Sequence, residues 1–216
     1  MPSGLALIFD LDGVIVDSMP VHTLAWQRYL TELGIAGNQV EQRMHGRRND
    51  EIVRDFLGPA VDPQTVFEHG AAKERLFREM MGSQLAARMV PGVVELLERS
   101  RPAPTAVATN AEPANVEFVL NGAGIRTLFS VVVDGSQVKH AKPAPDVYLR
   151  AAELLDVAPA NCIVFEDSPV GVAAAQAANM RVVGVQTHAP LERVNYVLRD
   201  FKDNGLDAWL AEQRVY

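Results

Sequence analysis

The stretch "LIFDLDGVIVDS", residues 7–18, decides the fold and raises a question about charge. An apolar run over residues 5–9 stops at Asp10, and further carboxylates follow at Asp12 and Asp17. Like charges so close together repel one another, so this end of the run needs a counter-charge. The glycine after Asp12 permits a tight turn that would place both acids at the end of a strand.

Five short apolar runs predict buried strands: residues 5–10, 105–110, 129–134, 162–167 and 181–187. Each is nearly continuous in apolar or small residues, as in parallel strands that are covered on both faces. From about Pro91 onward, helical patterns that begin near a proline alternate with these strands. The alternation predicts an α/β fold, a doubly wound parallel sheet.

One segment breaks this alternation. Residues 18–86 have helical patterning and no convincing strand. We therefore predict two units: an α/β core formed by residues 1–17 and 87–216, and an α-helical cap domain formed by residues 18–86. The cap would sit at the C-terminal edge of the sheet.

Composition limits the function classes. The chain has 216 residues, 48% of them hydrophobic and 22% charged, as is ordinary for a globular protein. The net charge of -7 gives no general attraction to nucleic acid or to anionic membranes, so we expect neither as a partner. With no basic leader, no long apolar span and a single cysteine, we expect a cytoplasmic protein. We also expect a monomer or weak dimer.

Chemically active side chains follow four of the predicted strands. In open α/β sheets, ligands bind beyond the carboxyl ends of the strands, so these side chains should meet at one edge. Four acids there need a divalent cation, and all-oxygen ligands suit Mg²⁺, which in turn favours phosphorylated substrates. The set comprises Asp10, Asp12, Thr109, Asn110, Lys142, Glu166 and Asp167.

Each of these residue types has a plausible role in phosphoryl transfer. Asp10 can ligate Mg²⁺ and attack phosphorus, and Asp12 can serve as general acid and base. Lys142 can stabilise charge on Asp10 and on the phosphoryl group, and the Thr109 hydroxyl can donate to a phosphate oxygen. We predict Asp10, Asp12, Asp167 and Glu166 as the metal site, with Asp167 in direct contact with the ion and Glu166 farther out.

At these residues the sequence resembles the haloacid dehalogenase-like phosphotransferase superfamily. "FDLDGVIVDS" is similar to its first motif, DxDGxxxD[ST], and "VATN" to its second, an apolar strand ending in Ser or Thr. "KPAPDVY" matches the lysine motif and "VFEDSPVGVAAA" the acidic fourth motif, in the family's order. The resemblance implies an aspartyl-phosphate intermediate, Mg²⁺ dependence and a mobile helical cap. The family's dehalogenases lack the aspartate at position 12, so its presence favours phosphate esters.

Several further residues are candidates for the substrate side. His22 is either a helix-terminal histidine packed on Trp26, four residues on, or a substrate-side group, because the β-phosphoglucomutase branch has a histidine at that spacing. Asn110 either contacts phosphate or satisfies backbone groups. One of Arg47 and Arg48 in "MHGRRNDEI" is expected to bind substrate, and Lys73 matches a cap lysine of the same branch. Asp17 and Ser18 are predicted to cap the first cap helix.

Three functions remain open at this point. The first is a Mg²⁺-dependent phosphatase that hydrolyses a small phosphorylated metabolite, and the second is a β-phosphoglucomutase-type phosphomutase. The third is a non-catalytic binding domain, ranked last because Asp10, Asp12 and Lys142 are all present. The pair Thr109-Asn110 favours the phosphatase, since the resemblance implies a Ser-Ala pair in the mutase branch.

Overall fold

The computed structural model describes residues 4–37, 39–44, 47–188 and 190–213. Its centre is a parallel sheet in the order β3-β2-β1-β4-β5-β6, which confirms the predicted doubly wound α/β fold. The strands are β1 (Ala6–Phe9), β2 (Thr105–Ala108), β3 (Val131–Val133), β4 (Cys162–Glu166), β5 (Arg181–Val185) and β6 (Tyr196–Leu198). The sequence did not predict β6, because three residues at a partly exposed edge make no apolar run.

Between β2 and β5, helices alternate with the strands. The helices are α1 (Met19–Glu32), α2 (Val40–Met44), α3 (Asn49–Leu57), α4 (Pro63–Gly82), α5 (Val93–Arg99), α6 (Pro113–Gly122), α7 (Asp146–Leu155), α8 (Pro169–Ala177) and α9 (Leu206–Glu212). Prolines occupy the first turn of α1, α4, α6 and α8, where the missing N–H has no helical partner to lose. The short helices α2 and α9 were not predicted.

Each face of the sheet packs against its own apolar layer. On one face, Phe9 stacks on Phe165 with ring centroids 4.5 Å apart, and both rings contact Phe201. On the other face, small side chains such as Ala106 allow α7 and α8 to approach closely. Because both faces are buried, apolar residues are favourable at every strand position, and the strands show no alternation of apolar and polar residues. Each fully buried apolar side chain adds about 1.5–3 kcal/mol to the stability of the fold.

Helices α1 to α4 have an apolar cluster of their own. Trp26 and Leu30 of α1 pack there with Ile52 of α3 and Val66 of α4. The sheet-side ends of α1 and α4 contribute instead to the cluster under the sheet, through residues that include Phe77. The division of the chain into core and cap stays a prediction.

The prediction that the side chains of Asp17 and Ser18 cap the N-terminus of α1 is wrong. Ser18 occupies the N-cap position, but its side chain makes no capping hydrogen bond and donates instead to Asp12 Oδ1 at 2.5 Å. The Asp17 carboxylate pairs with His188 Nε2 at 2.8 Å and with Arg88 Nη1 at 3.3 Å. Asp17 therefore ties the chain after β1 to other segments, whereas Ser18 joins two positions within it. In the part of the chain that the structure describes, no helix combines the length and apolar character that crossing a membrane requires.

Candidate active site

Three carboxylates meet at the carboxyl ends of β1 and β4. Asp10 directly follows β1, Glu166 ends β4 and Asp167 follows it, and the two strands pair side by side. One oxygen from each of the three lies within 4.8 Å of the others, and all three side chains are buried. Asp12 is not among them. The cluster has the ligand type and spacing that a hard divalent cation requires.

Lys142 provides the positive charge next to this cluster. Its Nζ lies 3.0 Å from Asp10 Oδ1 and 2.7 Å from Glu166 Oε1. Glu166 Oε1 also accepts a hydrogen bond from Tyr148 Oη at 2.9 Å, and Oε2 accepts from the backbone N–H and the hydroxyl of Ser168. Because protein donors engage both of its oxygens, Glu166 is better placed to hold Lys142 than to bind an ion directly.

The raised pKa values of two clustered carboxylates indicate too little positive charge around them. Burial raises the pKa of Asp10 to about 7, and the charges of Glu166 and Asp12 add to the rise despite the opposing charge of Lys142. Burial also raises the pKa of Asp167 well above its ordinary value, helped by Glu166 and Asp10. Burial would lower the pKa of Lys142, but the Asp10 and Glu166 charges outweigh it and raise the value. A divalent cation between these carboxylates would supply the missing charge.

Two glycines allow the carboxylates to approach the backbone so closely. Gly13 has φ +77°, and a Cβ there would overlap the Asp167 carboxylate. A Cβ at Gly171 would overlap the carboxylate of Glu166. The glycines in the first and fourth motifs therefore make room for the acids.

The predicted polar groups after β2 also reach the site. Thr109 is buried, and its Oγ1 accepts a hydrogen bond from Ala111 N at 3.1 Å, which leaves the hydroxyl proton to donate elsewhere. Asn110 Oδ1 accepts from Lys142 N at 3.2 Å, so this side chain does satisfy a backbone group. Both residues line the same cavity as Asp10.

Asp12 lies in a different environment from Asp10. It accepts the Ser18 hydrogen bond, and His22 Nε2 lies 3.5 Å from Asp12 Oδ1. Burial tends to raise the pKa of Asp12, but the hydrogen bonds with His22 and Ser18 outweigh it and leave the pKa below its ordinary value. This carboxylate is therefore held ionised.

His22 connects Asp12 to α4. Its ring stacks on Phe77 with 3.7 Å between the ring centroids, a contact with α4 that the sequence did not predict. The Lys73 ammonium lies 2.6 Å from His22 Nδ1 and 2.8 Å from Glu74 Oε1. An ammonium donates to that ring nitrogen, so Nε2 carries the proton that faces Asp12.

The two adjacent arginines separate in space. Arg47 lines the cavity, with its guanidinium near the carboxylates of Glu51 and Asp55. Arg48 does not line it and donates instead to the carbonyl oxygens of Gly135 at 2.6 Å and Val138. Of the two predicted substrate arginines, the structure brings only Arg47 to the cavity.

Sequence reasoning missed a polar network between α4 and α6. Glu74 is buried and accepts hydrogen bonds from Asn49 at 2.5 Å and Asn115 at 2.6 Å. Burial opposes ionisation of Glu74, but the Lys73 charge outweighs it and lowers the pKa to about 2. Arg78 Nη1 donates to Glu112 Oε1 at 2.9 Å and to Asn115 Oδ1 at 2.6 Å.

One cavity joins most of these groups. It encloses about 690 Å³ not filled by protein atoms, including its open mouth. The acids and Lys142 form one end, and residues of α1, α3, α4 and α6 form the rest of the wall. Lining residues from those helices include Met19, His22, Trp26, Asn49, Ile52, Lys73, Glu74 and Asn115.

Comparisons with known proteins agree with this geometry. Residues 5–179 match the model of the haloacid dehalogenase-like hydrolases. The chain is 34% identical to the fructose-1-phosphate phosphatase YqaB of Escherichia coli (strain K12) over 83% of this chain and 95% of that protein. It is 31% identical to a β-phosphoglucomutase of Bacillus subtilis (strain 168) over 98% of this chain and 96% of that protein.

A solved structure gives the same result. The crystal structure of a β-phosphoglucomutase from Clostridium difficile superposes with a TM-score of 0.86 at 26% identity, covering 98% of this chain and 97% of that one. The match thus extends over both the sheet and the helices between β1 and β2. By fold, motif order and family match, the chain belongs to the haloacid dehalogenase-like hydrolases.

Proposed function

We propose that this protein is a Mg²⁺-dependent phosphatase that hydrolyses a small phosphorylated metabolite, a sugar phosphate or similar, through an aspartyl phosphate on Asp10. The observation that carries the proposal is the buried cluster of Asp10, Glu166 and Asp167 with Lys142 against it, at the end of a cavity. The resemblance to a fructose-1-phosphate phosphatase supports the class of substrate.

Asp10 and Asp167 are the residues that would hold Mg²⁺. Their raised pKa values fit a site that a cation completes, and their oxygen atoms are the ligands that Mg²⁺ prefers. The bound ion would neutralise the acids and polarise a phosphoryl oxygen. Asp12 and Glu166 were also predicted at the metal, but their carboxylates are engaged with His22 and Lys142 respectively. This favours an acid–base role for Asp12 and a positioning role for Glu166.

The residues of the chain supply the remaining chemistry. A carboxylate oxygen of Asp10 attacks phosphorus, and the ester P–O bond breaks. Asp12 is ionised in the free site, so it first takes the proton of the bound phosphate monoanion and then gives that proton to the leaving alcohol. Asp12 then accepts a proton from water, which attacks phosphorus, breaks the Asp10–phosphate bond and releases inorganic phosphate. Lys142 balances charge on the transferring group, and the Thr109 hydroxyl donates to one of its oxygens.

Helices α1 to α4 have the proposed role of a cap. Residues 18–86 would cover the cavity and exclude bulk water during transfer. His22 would position Asp12, and Lys73 would position His22. Arg47 would contact the substrate at the cavity wall. Location in the cytoplasm and a monomeric or weakly dimeric state belong to the same proposal.

A phosphomutase of the β-phosphoglucomutase type is the second candidate. The 31% identity to such an enzyme along nearly the whole chain favours it, as does the contact of His22 and Lys73 beside Asp12. The Thr109-Asn110 pair weighs toward the phosphatase. The two differ only in whether water or a sugar hydroxyl meets the phosphorylated Asp10.

A product assay separates the candidates. The protein with Mg²⁺ receives a panel of sugar phosphates, glycolate phosphate and nucleotides, and free phosphate is measured. In a parallel reaction, β-glucose 1-phosphate with a trace of the 1,6-bisphosphate is followed for two products. We expect free phosphate from at least one ester, and glucose 6-phosphate formed much faster than phosphate would instead identify a mutase. Asp10→Asn protein is the control for both reactions.

A further inference from the structure

The cavity wall beyond the acid cluster carries few charges that a substrate could use. Its cations are Arg47 and Lys73, and its anions are Glu74 and Glu112. Lys73 is buried and bound to Glu74 at 2.8 Å, so that pair is neutral as a whole. Arg47 lies 3.4 Å from a Glu51 oxygen and 3.3 Å from an Asp55 oxygen, and it also donates to two backbone carbonyls.

Among the wall residues that the structure describes, each cation outside the acid cluster therefore already has a carboxylate partner. Asn49 and Asn115 add neutral amides to the same wall. A phosphoryl group at Asp10 would meet Lys142 and the metal. A second anionic group on the same substrate would meet no comparable charge in this part of the wall.

Glu112 adds a negative charge to that wall. It precedes α6, three residues after Thr109, and its side chain is 33% exposed. Burial raises its pKa, and the nearby charge of Glu74 raises it further despite the pair with Arg78. Arg78 pairs with Glu112 at 2.9 Å but does not line the cavity, so Glu112 is the member of this pair that presents its charge to the cavity.

We propose that Glu112 is a specificity-determining residue that restricts the site to phosphate monoesters whose remaining part carries no second anionic group. The inference rests on the proposed function and names its substrate class: neutral, hydroxyl-rich phosphate esters. An additional phosphate or carboxylate would lie in a partly buried space facing the Glu112 carboxylate, where repulsion is weakly screened. Hydroxyl groups would instead donate to carboxylate and amide oxygens of the wall.

A matched substrate pair tests this. Free phosphate release from fructose 1-phosphate and from fructose 1,6-bisphosphate is measured with wild-type and Glu112→Gln protein. We expect wild type to favour the monophosphate in kcat/KM by at least about tenfold, and Glu112→Gln to reduce that preference by about tenfold, equivalent to about 1.4 kcal/mol. Glutamine keeps an oxygen that can accept from Arg78, so the contact between α4 and α6 should be retained and the ratio of the two kcat/KM values is the readout.

Glu117→Gln is the matched control, because it removes one negative charge from the exposed side of the same helix. It should leave the preference unchanged. If Glu112 only holds α4 to α6, Glu112→Gln will change kcat/KM by the same factor for both substrates, and that result overturns the inference. A wild type that prefers the bisphosphate overturns it as well.

A binding measurement keeps the two proposals apart. If wild type releases no phosphate from any ester, the phosphatase proposal fails. The same two sugars are therefore titrated by calorimetry into Asp10→Asn protein with Mg²⁺, with and without Glu112→Gln. The inference is supported if the monophosphate binds more tightly than the bisphosphate and Glu112→Gln removes this difference. It is contradicted if the two sugars bind equally, or if Glu112→Gln weakens the binding of both by the same factor.

Discussion

Asp10→Asn should abolish turnover and at the same time stabilise the metal-free protein at pH 8. Asp10 is 8% exposed, and burial raises its pKa to about 7 although Lys142 lies 3.0 Å away. Without a metal, the ionised carboxylate therefore costs folding free energy. A carboxamide of the same shape carries no charge and is a poor nucleophile, so it removes the cost together with the reaction.

The magnitude follows from the linkage between protonation and folding. The pKa rises from 3.8 to about 7 on folding, and one pH unit corresponds to about 1.4 kcal/mol, so the ionised group costs about 4 kcal/mol at most. The folded state binds the proton more tightly, so the free energy of unfolding falls as the pH rises from about 4 to about 7. Allowing for relaxation around the charge, we expect Asp10→Asn to gain about 2–4 kcal/mol at pH 8 and about half as much at pH 5.5.

Thermal unfolding in EDTA measures this directly. For a chain of this size the gain corresponds to a Tm increase of about 5–10 °C at pH 8. Asp146→Asn is the control: burial opposes ionisation there, but a hydrogen bond with His140 outweighs it and lowers the pKa of Asp146, so its removal should not stabilise. Asp10→Asn protein that is no more stable than wild type at pH 8, or a gain that is equal at both pH values, would refute the reasoning. A turnover rate near that of wild type in folded Asp10→Asn protein would refute the role of Asp10 as nucleophile.

Three further outcomes are expected. EDTA should abolish phosphate release and added Mg²⁺ should restore it, whereas Ca²⁺ should inhibit because its coordination is looser. Full activity in a metal-free preparation would contradict the metal site. Asp167→Ala should weaken Mg²⁺ binding in calorimetry more than Glu166→Ala, since Glu166 is already bound to Lys142; the reverse order would exchange their roles. Arg47→Ala should raise the KM for the best ester several-fold, whereas Arg48→Ala should mainly lower the Tm by removing the bonds to Gly135 and Val138; a KM unchanged by Arg47→Ala would make it a surface charge.

The sequence predicted the sheet well because its strands are buried on both faces. Continuous apolar runs mark such strands, and a carboxylate at the end of each of two runs marks the edge where they meet. The placement of Asp10 with Glu166 and Asp167 needed only the rule that parallel strands end at one edge. Strand β6 and helices α2 and α9 are too short for a periodic pattern, and contacts with the rest of the chain determine them.

The wall of the cavity could not be predicted in the same way. Glu74 and Asn115 are 41 positions apart and meet only because α4 packs against α6. A lysine followed by a glutamate on a helix usually indicates a solvated face, yet both Lys73 and Glu74 are buried. The stacking of His22 on Phe77 likewise depends on how α1 and α4 pack together.

Asp10 and Asp12 show how one short motif gives two carboxylates different properties. The environment of Asp10 comes from the sheet: burial at the strand end and the charge of Glu166 raise its pKa and outweigh the opposing charge of Lys142. The environment of Asp12 comes from the start of α1, where the hydrogen bonds of Ser18 and His22 lower its pKa, and His22 in turn contacts Lys73 of α4. Any displacement of α1 and α4 from the sheet would therefore change Asp12 while leaving the immediate partners of Asp10 in place. In the proposed reaction, the nucleophile would be governed by the sheet, and the acid–base group by the helices that cover it.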